Sequence, residues 1–125
     1  MPSFQFEYVS STVSLLNGDG IVVSVVNDSG ASENTQVVIY QNTGAAAVTA
    51  TDSGVVHVVA TWQWSLGYTV PSGGEYWLRI LATTENLVPK ASFERVQNGA
   101  WVPVVSYRPG DFAVFQLRPA RKRLW

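Results

Sequence analysis

The chain has 125 residues, no cysteine and a formal net charge of −1. That length is most simply one domain, and it allows burial of roughly two-thirds of the surface the unfolded chain exposes. Disulfides and thiolate chemistry are excluded outright. The opening residues MPSFQFEYVSSTVS lack the basic segment and apolar run of a signal peptide. No stretch approaches the roughly 18 to 20 apolar residues that cross a bilayer. The expectation is a cytoplasmic chain with no membrane partner, absent another export route.

The charge is unevenly distributed. Nine acidic and only four basic residues precede position 118, a net of −5, and four basic residues then crowd into RPARKRLW. An acidic body with a basic tail leaves no basic face for nucleic acid on the folded part. The expected organisation is a single domain over residues 1–117 and a basic tail over 118–125.

Twenty valines and twenty-one serines and threonines favour strands, because β-branched side chains pack well on a pleated surface and lose freedom in a helix. No run shows helical periodicity. In chain order, FQFEY (4–8) alternates aromatic and polar residues. NGDG (17–20) turns into IVVSVV (21–26), and NDSG (27–30) opens a polar loop before TQVVIYQ (35–41). NTG (42–44) then turns into AAVTAT (46–51), and DSG (52–54) turns into VVHVVA (55–60). Each turn supplies Gly, Asn or Asp, the residues that tolerate positive φ or bond to their own backbone.

From Trp62 the even positions read Trp62, Trp64, Leu66, Tyr68, Val70 and the odd ones Gln63, Ser65, Gly67, Thr69. This alternation predicts that Trp62, Trp64 and Tyr68 point into a core. Pro71-Ser72-Gly73-Gly74 turns the chain. Tyr76, Leu78 and Ile80 then share one face, leaving Trp77 and Arg79 on the other. An outward tryptophan is either covered by a neighbour or offered to a partner.

Asn98-Gly99 between two β-rich runs predicts a two-residue hairpin over 91–105. It pairs Gln97 with Ala100, Val96 with Trp101 and Glu94 with Pro103. Pro103 then sits at a non-hydrogen-bonded position, its missing N–H turned away from the partner strand. That marks an edge strand or a bulge.

The run YTVPSGGEYWLRILA resembles the corner between the fifth and sixth strands of fibronectin type III and related immunoglobulin-like sandwiches. There a Pro/Gly turn carries the chain to the opposite sheet and a tyrosine fastens the corner. Tyr76 occupies the matching place, and Leu78 and Ile80 the matching inward positions. IVVSVVNDSGASENTQVVIYQ is similar to the hairpin of small bacterial immunoglobulin-like domains. The resemblance implies an immunoglobulin-like antiparallel β-sandwich of seven to nine strands, without the cysteines of antibody domains and with no function attached.

Catalytic chemistry finds few candidates. His57 is the only histidine, and its place in VVHVV predicts a rim or edge position beside Val55 and Val59. One histidine and no cysteine do not make the usual zinc set. The turn aspartates Asp19, Asp28, Asp52 and Asp111 are expected to shape their loops. NGDG and NDSG lack the spaced oxygen ligands of an EF-hand, so calcium has weak support there. Asn27-Asp28-Ser29 fits a glycosylation acceptor in form only. No catalytic residue, metal ligand or cofactor is nominated.

The expected role is a non-enzymatic binding or assembly module that self-associates or binds another protein. Its candidate surface is Trp77, Arg79, Trp101 and Pro103. Its candidate tail contact is Arg121, Lys122, Arg123 and Trp125. A carbohydrate-binding domain is the alternative, because exposed tryptophan and tyrosine faces stack on sugar rings.

Overall fold

The structure is a computed structural model and describes residues 4–117. It is all-β: two antiparallel sheets enclose the core, and a single 3-10 turn, Pro109–Asp111, interrupts the strands. The described residues form eleven strands, more than the seven to nine expected. They are β1 (Phe6–Val9), β2 (Val13–Leu15), β3 (Gly20–Asn27), β4 (Glu33–Thr43), β5 (Ala46–Asp52), β6 (Val56–Val58), β7 (Gln63–Thr69), β8 (Gly74–Ala82), β9 (Leu87–Gln97), β10 (Ala100–Tyr107) and β11 (Ala113–Gln116). The excess comes from β2 and β11, segments of three and four residues too short to announce themselves by alternation.

The larger sheet runs β11-β1-β8-β4-β5, with β2 beside β8 and β6 beside β4; the smaller runs β10-β9-β3-β7. The pairing is nested. β4 pairs with β5 and β6, β3 with β7, and β1 and β2 with β8. One long antiparallel ribbon is thus folded over, so that successive pairs fall in opposite sheets. β9 then closes the smaller sheet against β3.

The alternation of each strand supplies the core. Ile21, Val23 and Val25 from β3 and Phe93 from β9 meet Val37, Ile39, Leu78 and Ile80 from the other sheet, all fully buried. Trp64, Leu66 and Tyr68 pack on this core from β7, as the alternation predicts. Trp62 does not. Thr61 takes a left-handed φ of 65°, the Trp62 N–H bonds to the Val59 carbonyl at 2.9 Å, and the ring is 66 % exposed. The interior at that end is already filled by Val58 and Asn27. Alternation assigns a face to a residue, but it does not say where the core stops.

Tyr76 fastens the turn between β7 and β8, which lie in opposite sheets. Its ring is fully buried and its hydroxyl donates to the Ser72 carbonyl at 2.6 Å, tying the Pro71–Gly74 turn to the sheet. The hairpin register is also as read, with Gln97 opposite Ala100, Val96 opposite Trp101 and Glu94 opposite Pro103. Asn98 and Gly99 both carry positive φ, at 53° and 78°, which suits a primed hairpin turn. β10 ends its sheet, and the register shifts between Pro103 and Val105, so the proline marks an edge and a bulge together.

β9 reaches back past this hairpin to Leu87 and includes a buried proline, Pro89. Its pairing explains the tolerance. Asn27 donates to the Trp62 carbonyl and Val70 to the Asp19 carbonyl, so the odd-numbered residues of β3 bond to β7 and its even-numbered residues bond to β9. The backbone of Pro89, opposite Val25, therefore faces the β10 side, where β10 stops at the pair Tyr107 and Ala91. No ladder bond is lost.

Candidate functional site

Trp77 and Arg79 lie on the outer face of the larger sheet, as their register predicts, and both have partners within the chain. The Trp77 ring stacks on Tyr40, its cross-strand neighbour, with centroids 4.3 Å apart and planes at 19°. Its indole N–H donates to Asn42 Oδ1 at 3.0 Å. Arg79 forms an ion pair with Glu7 of β1, which raises the guanidinium pKa further. The outward tryptophan is covered by its own sheet.

Trp101 is differently placed. It projects from the outer face of the smaller sheet and is 51 % exposed. Its six-membered ring reaches across to Gly20 on β3, where an added Cβ would stand 3.0 Å from Cζ3 and 3.4 Å from Cη2. Glycine permits this close approach, since an added Cβ would need the indole to give by a few tenths of an ångström. Gly20, Val22, Gly67, Thr69, Glu94 and Trp101 line a groove of about 290 Å³ together with Ile21 and Tyr68. At Gly67 an added Cβ would meet nothing within 4 Å, so the β7 side of the groove is open. The groove thus has an aromatic wall, a floor of glycine and valine, and a carboxylate. Ser92 Oγ donates to Glu94 Oε2 at 3.0 Å and orients that carboxylate.

A second depression of about 260 Å³ continues from Val22 past Ser24, Lys90, Ser92 and Arg108. Outward-facing Ser24, Lys90, Ser92 and Glu94 follow from the same alternation that buries Val23, Val25, Ala91 and Phe93. This half-apolar, half-polar strip was legible in the strand patterns. Its continuity across three strands was not, because it depends on β9 lying between β3 and β10. Pro103 sits on the same outer face opposite Glu94.

Several of the other sequence candidates among the described residues have structural partners. His57 is exposed on β6, at the margin of the sheet, with Nδ1 3.1 Å from Asn34 Oδ1. Among the described residues no three metal-ligating side chains gather. Asp52 accepts from Gly54 N–H and Gln36 Nε2, and Asp111 accepts from Arg108 N–H, each shaping its turn. Asp19 goes further: it is buried, accepts from Leu16 N–H at 2.8 Å, and holds Arg95 through both carboxylate oxygens. Asn27 is fully buried and donates to the Ala31 and Val58 carbonyls, so its amide is committed to the fold and is not presented as a glycan acceptor. Arg121, Lys122, Arg123 and Trp125 lie outside the described residues.

No family model and no curated protein matches the chain. Among solved structures its fold is similar to the crystal structure of Thermotoga maritima 1070. The TM-score is 0.56, the sequence identity 10 %, and the likeness covers 94 % of this chain and 93 % of that one. At that identity the likeness is one of fold alone. No described helix is long and apolar enough to cross a membrane.

Proposed function

We propose that this protein is a non-enzymatic binding module of jelly-roll type, that its ligand is carbohydrate, and that the Trp101 groove is its site. The nested strand order, with β9-β3-β7 facing β1-β8-β4-β5, supports a jelly roll over the immunoglobulin-like order of the sequence reading. Jelly rolls include lectins, which is an analogy at the level of fold and carries little alone.

The observation that carries the reading is the half-exposed Trp101 ring beside an open glycine floor and an oriented carboxylate. A pyranose presents an apolar face of C–H groups and a periphery of hydroxyls. The indole suits the first, and Glu94, Ser92 and Thr69 suit the second. Such sites combine apolar lining with a few placed polar groups. Trp77, stacked on Tyr40, bonded to Asn42 and only partly exposed, has less support as the site than Trp101.

A glycan array on the intact protein, followed by titration with tryptophan fluorescence, tests this. Binding that survives Trp77→Ala and disappears in a folded Trp101→Ala is the expected result. Flat responses across the array overturn it.

A further inference from the structure

We propose that the β7 edge is a self-association surface, at which two copies of this chain pair antiparallel and join their smaller sheets into one. The inference goes beyond the carbohydrate reading and does not depend on what occupies the Trp101 groove.

A sheet edge exposes a row of unpaired N–H and C=O groups, and folded proteins blunt such edges with prolines, bulges, charges or brevity. Among the described residues, three of the four sheet ends carry such a device. β10 has Pro103 and a bulge. β11 has only four residues. β5 is offset by a register shift opposite Ile39 and Tyr40, and the short β6 takes over along the same side of β4. β7 has none of these. Its seven residues, QWSLGYT, contain no charge and no proline, and it pairs with β3 from Gly20 opposite Thr69 to Val26 opposite Gln63 without a shift.

The direction of its free groups follows from two bonds already described. Asn27 donates to the Trp62 carbonyl and Val70 to the Asp19 carbonyl. Even-numbered residues of β7 therefore bond to β3, and the N–H and C=O groups of Gln63, Ser65, Gly67 and Thr69 point outward. All four residues are exposed, and the inward Trp64, Leu66 and Tyr68 remain only partly covered at this border. An antiparallel edge is complementary to itself across a two-fold axis. An axis at Leu66 sets Ser65 opposite Gly67 of the second copy and Gln63 opposite Thr69. Outward groups then meet outward groups, the half-covered aromatic border of each copy is continued by the other, and both Trp101 grooves fall on one face.

Sedimentation equilibrium on the full chain tests the proposal, with a concentration-dependent dimer expected for the wild type. Ser65→Pro removes one outward N–H, leaves every bond to β3 in place, and is expected to give a folded monomer by circular dichroism. Should that variant not fold, Gln63→Lys with Thr69→Lys changes only exposed side chains and sets like charges opposite one another. It is expected to weaken the dimer by about tenfold at low salt. A wild type that stays monomeric overturns the proposal. A dimer that persists at full strength in the double-lysine chain does so equally.

Discussion

Arg95 donates through Nε and Nη2 to both carboxylate oxygens of Asp19, a residue 76 positions earlier in the chain. The pair fastens the turn before β3 to the far end of β9, and the Leu16 N–H bonds to the same carboxylate. The Arg95 hydrogen bonds, aided by that N–H and by the guanidinium charge, hold the Asp19 carboxyl below the usual carboxylate range, although burial opposes them. In the unfolded chain the group titrates near pH ~3.9. The unfolded state therefore takes up the proton first on acidification. Stability from this pair is complete above that range and is lost as pH falls through the folded value. Thermal melts from about pH 5 to about pH 3 should show a steeper fall for the wild type than for Asp19→Asn. Parallel curves would show that the pair contributes nothing to the pH dependence.

Asn27 is expected to be the most sensitive polar position in the core. It is fully buried, donates to the Ala31 and Val58 carbonyls, and accepts from Ser29 N–H at 2.8 Å. Asn27→Ala leaves the buried Val58 carbonyl without this donor, which costs about 1–3 kcal/mol. Urea denaturation should show a lower midpoint with an unchanged slope.

The corner tyrosine separates packing from bonding. Tyr76→Phe keeps the buried ring and removes only the bond to Ser72. A loss of about 0.5–1.5 kcal/mol is expected. Proteolysis should quicken at the Pro71–Gly74 turn, the one segment that bond restrains.

Trp77→Ala removes the stack on Tyr40 and the bond to Asn42. The stacked pair contributes about 0.5–1.5 kcal/mol beyond its buried area, so a lower melting temperature is expected with carbohydrate binding and oligomeric state unchanged. Altered assembly would reinstate Trp77 as an interface residue.

Gly67→Leu provides the counterpart at the groove. An added Cβ there meets no neighbour, so the fold should tolerate a side chain that fills the space beside Trp101. Carbohydrate titration should then show lost binding at unchanged melting temperature. Retained binding would place the ligand elsewhere.

Local chemistry made much of this molecule legible before any fold was known. The Tyr76 corner was implied by a resemblance and not by local pattern, whereas the Asn98-Gly99 register and the inward Leu78 and Ile80 follow from turn residues and a period of two, which act between near neighbours. The relation between Pro103 and its edge was legible for the same reason. What only the tertiary structure decided were matters of which strand lies beside which. Trp77 is occupied because β4 sets Tyr40 next to it. Trp101 offers a groove because β9 brings its ring within reach of Gly20. Asp19 is more than a turn residue because Arg95 arrives from β9, 76 positions later in the chain. Trp62 faces outward because the core ends before it, a limit set by how the two sheets close rather than by the alternation of one strand.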